Sequence, residues 1–345
     1  MATYEEIIRE EMRKLPREIS WWPSYLYHFT DIHHAVGIID KGWIYDRATA
    51  EQHHLTRTDA ASHNVLEVTS DAIKHCGRLY MRPLTPTQFY SEGYKPEVVR
   101  NRDYKDVNCP VPVFFLLDAA RTLAYPGVYF VEKGAAGRQI HRQNRGIEEF
   151  ASLQFDKIFH HGSAGYTSDI GQHRRTEVLR DGGIPLNGLL RRIVCRSAAE
   201  EKTLLSLLKT QNPARFEEYR RLIVTATPDV GAFMFNGHGI YIKTVKALDN
   251  KVQVEFNEAT LRYDQNRIRK GGVPVTFSAE IYWKDDNGQI ICRDPYRGEI
   301  DYKIHNRVNI TYRNKYSDQY QLEIRMDDYL VFQGDFGLSD HDLII

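Results

Sequence analysis

Along the first third of the chain, apolar residues switch between helical and alternating spacing. The amphipathic stretch TYEEIIREEMRKL (3–15) predicts a short helix ended by Pro16. YLYHFT (25–30) predicts a strand. Asp31 then caps a helix, because its carboxylate accepts from otherwise unpaired N–H groups, and Ile32, Ala35, Val36 and Ile39 keep helical spacing until Gly42 stops the run. Residues 46–76 are polar and His-rich, which predicts a long loop or lid with short helices. Strands are expected at 78–84, 111–117, 127–131, 176–180 and 189–195, and a helix at 147–158. Ser197-Ala-Ala-Glu200 has the form of a capping box, opening a helix that carries Leu204, Leu205, Leu207 and Leu208.

From about residue 246 the texture changes. VQVEF, VTFSAEIYW, QIICR, EIDYKI, VNITYR, YQLEIR and YLVFQ alternate in polarity and are separated by turn residues. Asp286-Asn287-Gly288 is a hairpin signal, since Asn-Gly tolerates the positive φ such turns need. Many short strands in about 100 residues predict an all-β, sandwich-like unit. The expected organisation is therefore an α+β domain over 1–245 and a β-sandwich-like accessory domain over 246–345, with few core contacts crossing between them. The first part lacks the βαβ alternation of a doubly wound sheet and has neither G-x-G-x-x-G nor G-x-x-x-x-G-K-[ST]. A nucleotide bound here is not held as in a Rossmann dehydrogenase.

Composition narrows the picture further. Lys plus Arg and Asp plus Glu number 46 each, so no global basic field favours nonspecific duplex binding. Charge is concentrated locally: GAAGRQIHRQNRG (134–146) holds Arg138, Arg142 and Arg145 with no acid. Such a run either faces water or grips a phosphate backbone. The four cysteines are scattered, with no C-x-x-C pair, which argues against a zinc site or a disulfide framework and fits a reducing cytoplasm. No signal-peptide pattern opens the sequence and no apolar run approaches membrane-spanning length. The expectation is a cytoplasmic protein without metal or membrane.

Three segments carry candidate chemistry: YHFT (27–30), RLYMRPLTPTQFYSEG (78–93) and HRRTEVL (173–179). Each has a purely structural reading. His28 can be a satisfied strand histidine, Arg82 a snorkelling edge residue, and Glu177 one half of a surface pair with Arg174 or Arg175.

Taken together, the three resemble the DarT family of toxins, which ADP-ribosylate nucleic-acid bases. The resemblance lies in YHFT with its following helix and Gly stop, in the strand-turn LYMRPLTPTQF, and in HRRTEVL, continuing into LLRRIVCRSAAEEKTLLSLL. It spans roughly residues 20–210. It implies an ADP-ribosyltransferase fold, two small splayed sheets around an NAD⁺ cleft, with NAD⁺ as co-substrate. By position, Tyr27, His28 and Thr30 would bind the nicotinamide ribosyl end. Arg82, or alternatively Arg47 or Arg57, would meet the pyrophosphate or orient the site. Glu177 would be the catalytic carboxylate, stabilising the oxocarbenium-like ribose and accepting a proton from the attacking base.

The implied acceptor is a base in single-stranded DNA, with RNA as the competitor, because a stacked base is out of reach. Arg138, Arg142, Arg145, Tyr166, Arg174 and Arg175 are the candidates to hold it, with residues 159–173 as the acceptor loop. A cognate antitoxin is the implied partner. Two other classes stay open: an idle binding module, and a transferase acting on protein side chains.

Overall fold

The computed structural model describes residues 2–52, 71–100, 105, 107–135, 143–165, 167–258 and 272–337. The expected opening helix is present as Tyr4–Lys14, with a full capping box from Thr3 and Glu6. The first part of the chain contributes β1 (Tyr25–Asp31), β2 (Trp43–Ile44), β3 (Cys76–Tyr80), β4 (Pro112–Asp118), β5 (Val128–Val131), β6 (Glu177–Asp181), β7 (Ile184–Pro185), β8 (Leu190–Cys195) and β9 (Ile223–Thr225). Seven of them form one sheet in the order β5-β6-β3-β1-β4-β8-β9.

That sheet is nearly two. β1 pairs with β4 along its whole length, from Tyr25↔Asp118 to Asp31↔Pro112. On its other side β1 meets β3 at a single rung, Tyr27↔Tyr80. Half-sheets β5-β6-β3 and β1-β4-β8-β9 therefore part at β1/β3, the splayed arrangement expected. The strand predicted over 78–84 ends at Tyr80 because Pro83 has no N–H to give a ladder and Leu84 takes a φ of 56°. Thr85 then caps the helix Pro86–Ser91, its hydroxyl accepting from the Gln88 N–H at 3.3 Å. Across the back, Gly77 lies where β3 crosses the small β2/β7 sheet. A Cβ there would meet the Ile44 carbonyl oxygen at 2.7 Å, so only glycine fits.

Two helical expectations needed correction. The helix predicted over 147–158 is two, Ile147–Ala151 and Phe155–Ile158, and the break lets Phe150 and Phe155 meet edge to face at 5.2 Å. At Ala198–Gln211 only half of the capping box forms. The Ser197 hydroxyl accepts from the Glu200 N–H, but Glu200 turns to Arg196, accepting from its backbone N–H at 3.1 Å and from its guanidinium.

The C-terminal part adds β10 (Ile242–Leu248), β11 (Lys251–Phe256), β12 (Pro274–Lys284), β13 (Ile290–Asp301), β14 (Arg307–Thr311), β15 (Gln319–Met326) and β16 (Tyr329–Phe336). They form sheets β10-β11-β14 and β13-β12-β15-β16, whose apolar faces meet at contacts such as Phe256 against Phe277. QIICR and EIDYKI, read as separate strands, belong to the one strand β13. Pro295 is tolerated there because β13 is the sheet edge. In the 285–289 turn only Gly288 has positive φ, and its N–H bonds the Asp285 carbonyl at 2.9 Å. The glycine alone supplies the left-handed step, and Asn287 does not share it.

The expected division at 245/246 falls inside β10. Nor do few core contacts cross it: one buried apolar cluster runs from Ile7 through to Phe332. The helix Ala198–Gln211 explains why, being buried on two sides. Leu204 and Leu208 are part of the buried apolar cluster, while the small polar residues Thr203 and Ser206 let β16 come close. Gln333 donates to Thr203 Oγ1 through its backbone (3.2 Å) and to Ser206 through its amide (3.1 Å). Tyr94 also donates its hydroxyl to Asp327. Gln333→Ala is therefore expected to lower the unfolding free energy by about 1–3 kcal/mol, read from urea unfolding followed by both fluorescence and circular dichroism. An unchanged midpoint would mean that the β part is merely tethered.

Candidate active site

At the single rung between the half-sheets, side chains from β1, β3 and β6 converge. Register places Tyr80 opposite Tyr27 on one side and Glu177 on the other. Glu177, the first residue of β6, is 2% exposed. Its carboxylate is gripped by Arg78: Nη2 lies 2.8 Å from both oxygens and Nε 3.1 Å from Oε2. Burial works against the guanidinium's charge. The attraction of Glu177 and Tyr80 outweighs it and holds Arg78 well above its ordinary value. Burial and then Glu177 push the Tyr80 phenol up to about 12, so it is a proton donor at neutral pH; its hydroxyl bonds Thr87 and Glu177.

His28 is tied to the same group. Its Nδ1 lies 3.0 Å from the Arg78 carbonyl oxygen, which can only accept, so Nδ1 carries the proton. Burial, with small repulsions from His34 and Arg78, lowers His28 to about 4. The ring is neutral at pH 7 and its Nε2 is an acceptor. The unfolded chain binds this proton near its ordinary value of 6.5, so stability falls as pH drops from there towards 4. His28→Gln is expected to flatten that part of the stability–pH curve, as measured by thermal melts between about pH 4 and 7.

Ahead of Glu177 in the chain, residues 158–165 and 167–173 form a tethered arch. Arg82 donates to the carbonyls of Pro83 (2.9 Å), Ile158 (3.2 Å) and His160 (2.6 Å) and lies over the Trp22 ring at 4.5 Å. Arg174 donates to His160 Nδ1 (2.7 Å) and the Gly162 carbonyl (2.6 Å). Lys133 and Lys157 both pair with Asp169 at the start of the helix Asp169–His173, and hold its carboxyl well below the usual range. A cavity of about 450 Å³ opens between this arch and the helix Pro86–Ser91.

Several expected positions are revised by this geometry. The arginine beside Glu177 is Arg78, not Arg82, which is 2% exposed and donates through Nε and Nη1 to carbonyls. The alternative of a surface pair between Glu177 and Arg174 or Arg175 fails, because the carboxylate is buried on Arg78. Tyr27 puts no hydroxyl into the cleft. It is fully buried against Phe114 and its hydroxyl donates to the Trp22 carbonyl. Thr30, also on β1, is buried at 4% exposure. Arg175 backs onto Gly134, where the basic loop begins. Arg145 is exposed, bonds Gln143 and lies over the Tyr129 ring at 5.2 Å. Arg57, Arg138, Arg142 and Tyr166 lie outside the described residues, as does the Arg47 side chain, although Arg47 begins the helix Arg47–Gln52.

Arg78 and Tyr80 were missed. The available signal was alternation, since 78 and 80 share a face of a strand opposite Glu177. Among the described residues no group of three or more His, Cys, Asp or Glu is placed to hold a metal, and no helix is long and apolar enough to cross a membrane.

The chain that carries this split sheet and buried, arginine-held glutamate is an NAD⁺-dependent ADP-ribosyltransferase by its family match. Residues 27–222 match the sequence family described as "ssDNA thymidine ADP-ribosyltransferase, DarT", and the chain belongs to that family. Among curated protein sequences none matches. Solved structures similar to it include Thermus sp. 2.9 DarT in complex with carba-NAD⁺, at 17% identity and TM-score 0.43, covering 63% of this chain and 99% of that one. Thermus sp. 2.9 DarT in complex with ADP-ribosylated ssDNA has 18% identity and TM-score 0.46, covering 60% and 96%. Thermosipho africanus DarTG in complex with ADP-ribose has 14% identity and TM-score 0.42, covering 65% and 53%. Membership rests on the sequence match.

Proposed function

We propose that this protein transfers ADP-ribose from NAD⁺ to a base of single-stranded DNA, with Glu177 as the catalytic carboxylate. The observation that carries the reading is the bidentate Arg78–Glu177 pair at the parting of the half-sheets, in a chain of the DarT family. Loss of nicotinamide leaves a cationic ribose centre, and a fixed, ionised carboxylate stabilises it. Arg78 holds that carboxylate in a fixed orientation. Nicotinamide departs as a neutral pyridine, so no general acid is required. As the attacking base nitrogen bonds to the ribose carbon, Glu177 takes its proton.

His28 and Thr30 are placed by this reading at the nicotinamide ribosyl end, with the neutral His28 Nε2 accepting from a hydroxyl or amide. Arg47 is kept as a pyrophosphate candidate. Arg138, Arg142, Arg145, Arg174 and Arg175, with Tyr166, are proposed to contact the acceptor. His28→Ala is expected to weaken NAD⁺ binding by about tenfold, the worth of one to two hydrogen bonds, measured by calorimetry; an unchanged affinity would misplace the cleft.

DNA is favoured because the matched family acts on ssDNA thymidine. RNA is the other outcome of the deciding experiment: mass spectrometry of DNA and RNA oligonucleotides incubated with the protein and NAD⁺. A mass gain on lysate proteins and on neither nucleic acid would overturn the reading. A base-modifying enzyme endangers its own cell, so we further propose a toxin role, restrained by a cognate antitoxin and serving in phage defence.

A further inference from the structure

The cavity between the arch and the helix Pro86–Ser91 is lined by none of His28, Arg78 or Glu177, so it is distinct from the cleft at the parting. Its charge is one-sided. Arg82 and Arg174 both line it, and among the described residues no Asp or Glu does. Both guanidinium groups donate only to carbonyls and a histidine nitrogen, and neither pairs with a carboxylate among the described residues. Arg82 is also 2% exposed, so a buried cation there lacks a counter-charge. That is a costly arrangement which an incoming anion relieves.

Aromatic surface lies beside this charge. Phe89 is 48% exposed at the cavity wall, with Tyr90 and His161 next to it. Thr85, Ser163 and Asn236 add polar groups to the wall, and Asn236 lies beyond the family match of 27–222. Its placement is fixed rather than incidental. Glu92 is fully buried and accepts from the Asn236 N–H (2.9 Å), its Nδ2 (3.1 Å) and the Gly237 N–H (2.8 Å). One Nδ2 proton serves Glu92, which leaves the Asn236 carbonyl oxygen as an acceptor and the second Nδ2 proton as a donor for the edge of a base.

We propose that this cavity seats the nucleotide flanking the target base, with its phosphate at Arg82 and Arg174, its base against Phe89, and Asn236 reading its edge. The inference rests on the transfer reading above. The arch that forms one wall runs on in sequence into Glu177 at the start of β6, so the cavity borders the segment that carries the proposed catalytic carboxylate. The same chemistry, a phosphate joined to a planar base, is also carried by the adenylate half of NAD⁺, and kinetics separates the two.

Phe89→Ala and Asn236→Ala would be assayed with thymidine-containing single-stranded DNA oligonucleotides in which each flanking base is varied. Loss of one stacking platform is expected to raise the oligonucleotide KM roughly tenfold, while the KM for NAD⁺ moves less than about twofold. Asn236→Ala should also level the preference among flanking bases. Thermal melting checks the fold, and Phe89→Leu, which keeps apolar bulk but no ring, should resemble Phe89→Ala. A rise in the NAD⁺ KM instead would assign the cavity to the dinucleotide and overturn the proposal, as would unchanged KM values for both substrates. If the wild-type protein modified no oligonucleotide at all, the transfer reading itself would fall first.

Discussion

Glu177→Gln is expected to slow ADP-ribosyl transfer by at least ~100-fold, the usual cost of removing one preorganised electrostatic group, while NAD⁺ still binds. The amide keeps the shape of the carboxylate and still accepts one hydrogen bond from Arg78. What it loses is the negative charge opposite the developing ribose cation. Had Glu177 been a surface partner of Arg174 or Arg175, its loss would have cost ~0–1 kcal/mol of stability and left turnover intact. Its 2% exposure and its fork with Arg78 exclude that reading. Melting is expected to fall slightly, because Arg78 is partly exposed and water can reach the guanidinium. Single-turnover transfer to an oligonucleotide, beside calorimetric NAD⁺ binding, separates the two effects. Near-normal transfer by Glu177→Gln would sink the mechanism.

The elements that place Glu177 and His28 were legible because each depends on local signals. Asp31 caps and Gly42 stops one helix, as expected, and Asp31 accepts from the His33 N–H at 3.1 Å. β1 and β6 carry short apolar or aromatic runs with adjacent residues buried, the pattern of strands covered on both faces. Arg78 was not legible for a different reason. Arg78 and Arg82 fall on one face if the strand runs to 84, and only the break at Pro83-Leu84 sends Arg82 to the arch instead. Which arginine meets Glu177 is decided by the β3/β6 register, a pairing between segments about 100 residues apart.

The same distance limit hid the shared core. A drop in helical periodicity at 246 suggested a boundary, yet the weakly amphipathic run AAEEKTLLSLLKTQ already recorded burial on two sides. Composition reports what a segment is made of, and the packing of Gln333 on Thr203 and Ser206 depends on what lies opposite.

Arg78→Gln is expected to be the more damaging of the two substitutions for the fold. It removes the fork from a carboxylate that is 3% exposed, and breaking a buried pair from one side costs about 3–5 kcal/mol. Transfer should fall as well, because an unpaired carboxylate is free to turn away from the ribose. Arg78→Lys separates charge from geometry: it supplies a cation without the planar fork, and should recover much of the stability but little of the rate. The decisive comparison is the double variant. If Arg78 acts only through Glu177, then Arg78→Gln introduced into Glu177→Gln should cost far less stability than it does alone, and should lower transfer no further. A coupling energy of at least about 1 kcal/mol from urea unfolding of the four proteins is the expected result. Strict additivity in both stability and rate would mean that the guanidinium serves some other group, and that the carboxylate is held ready without it.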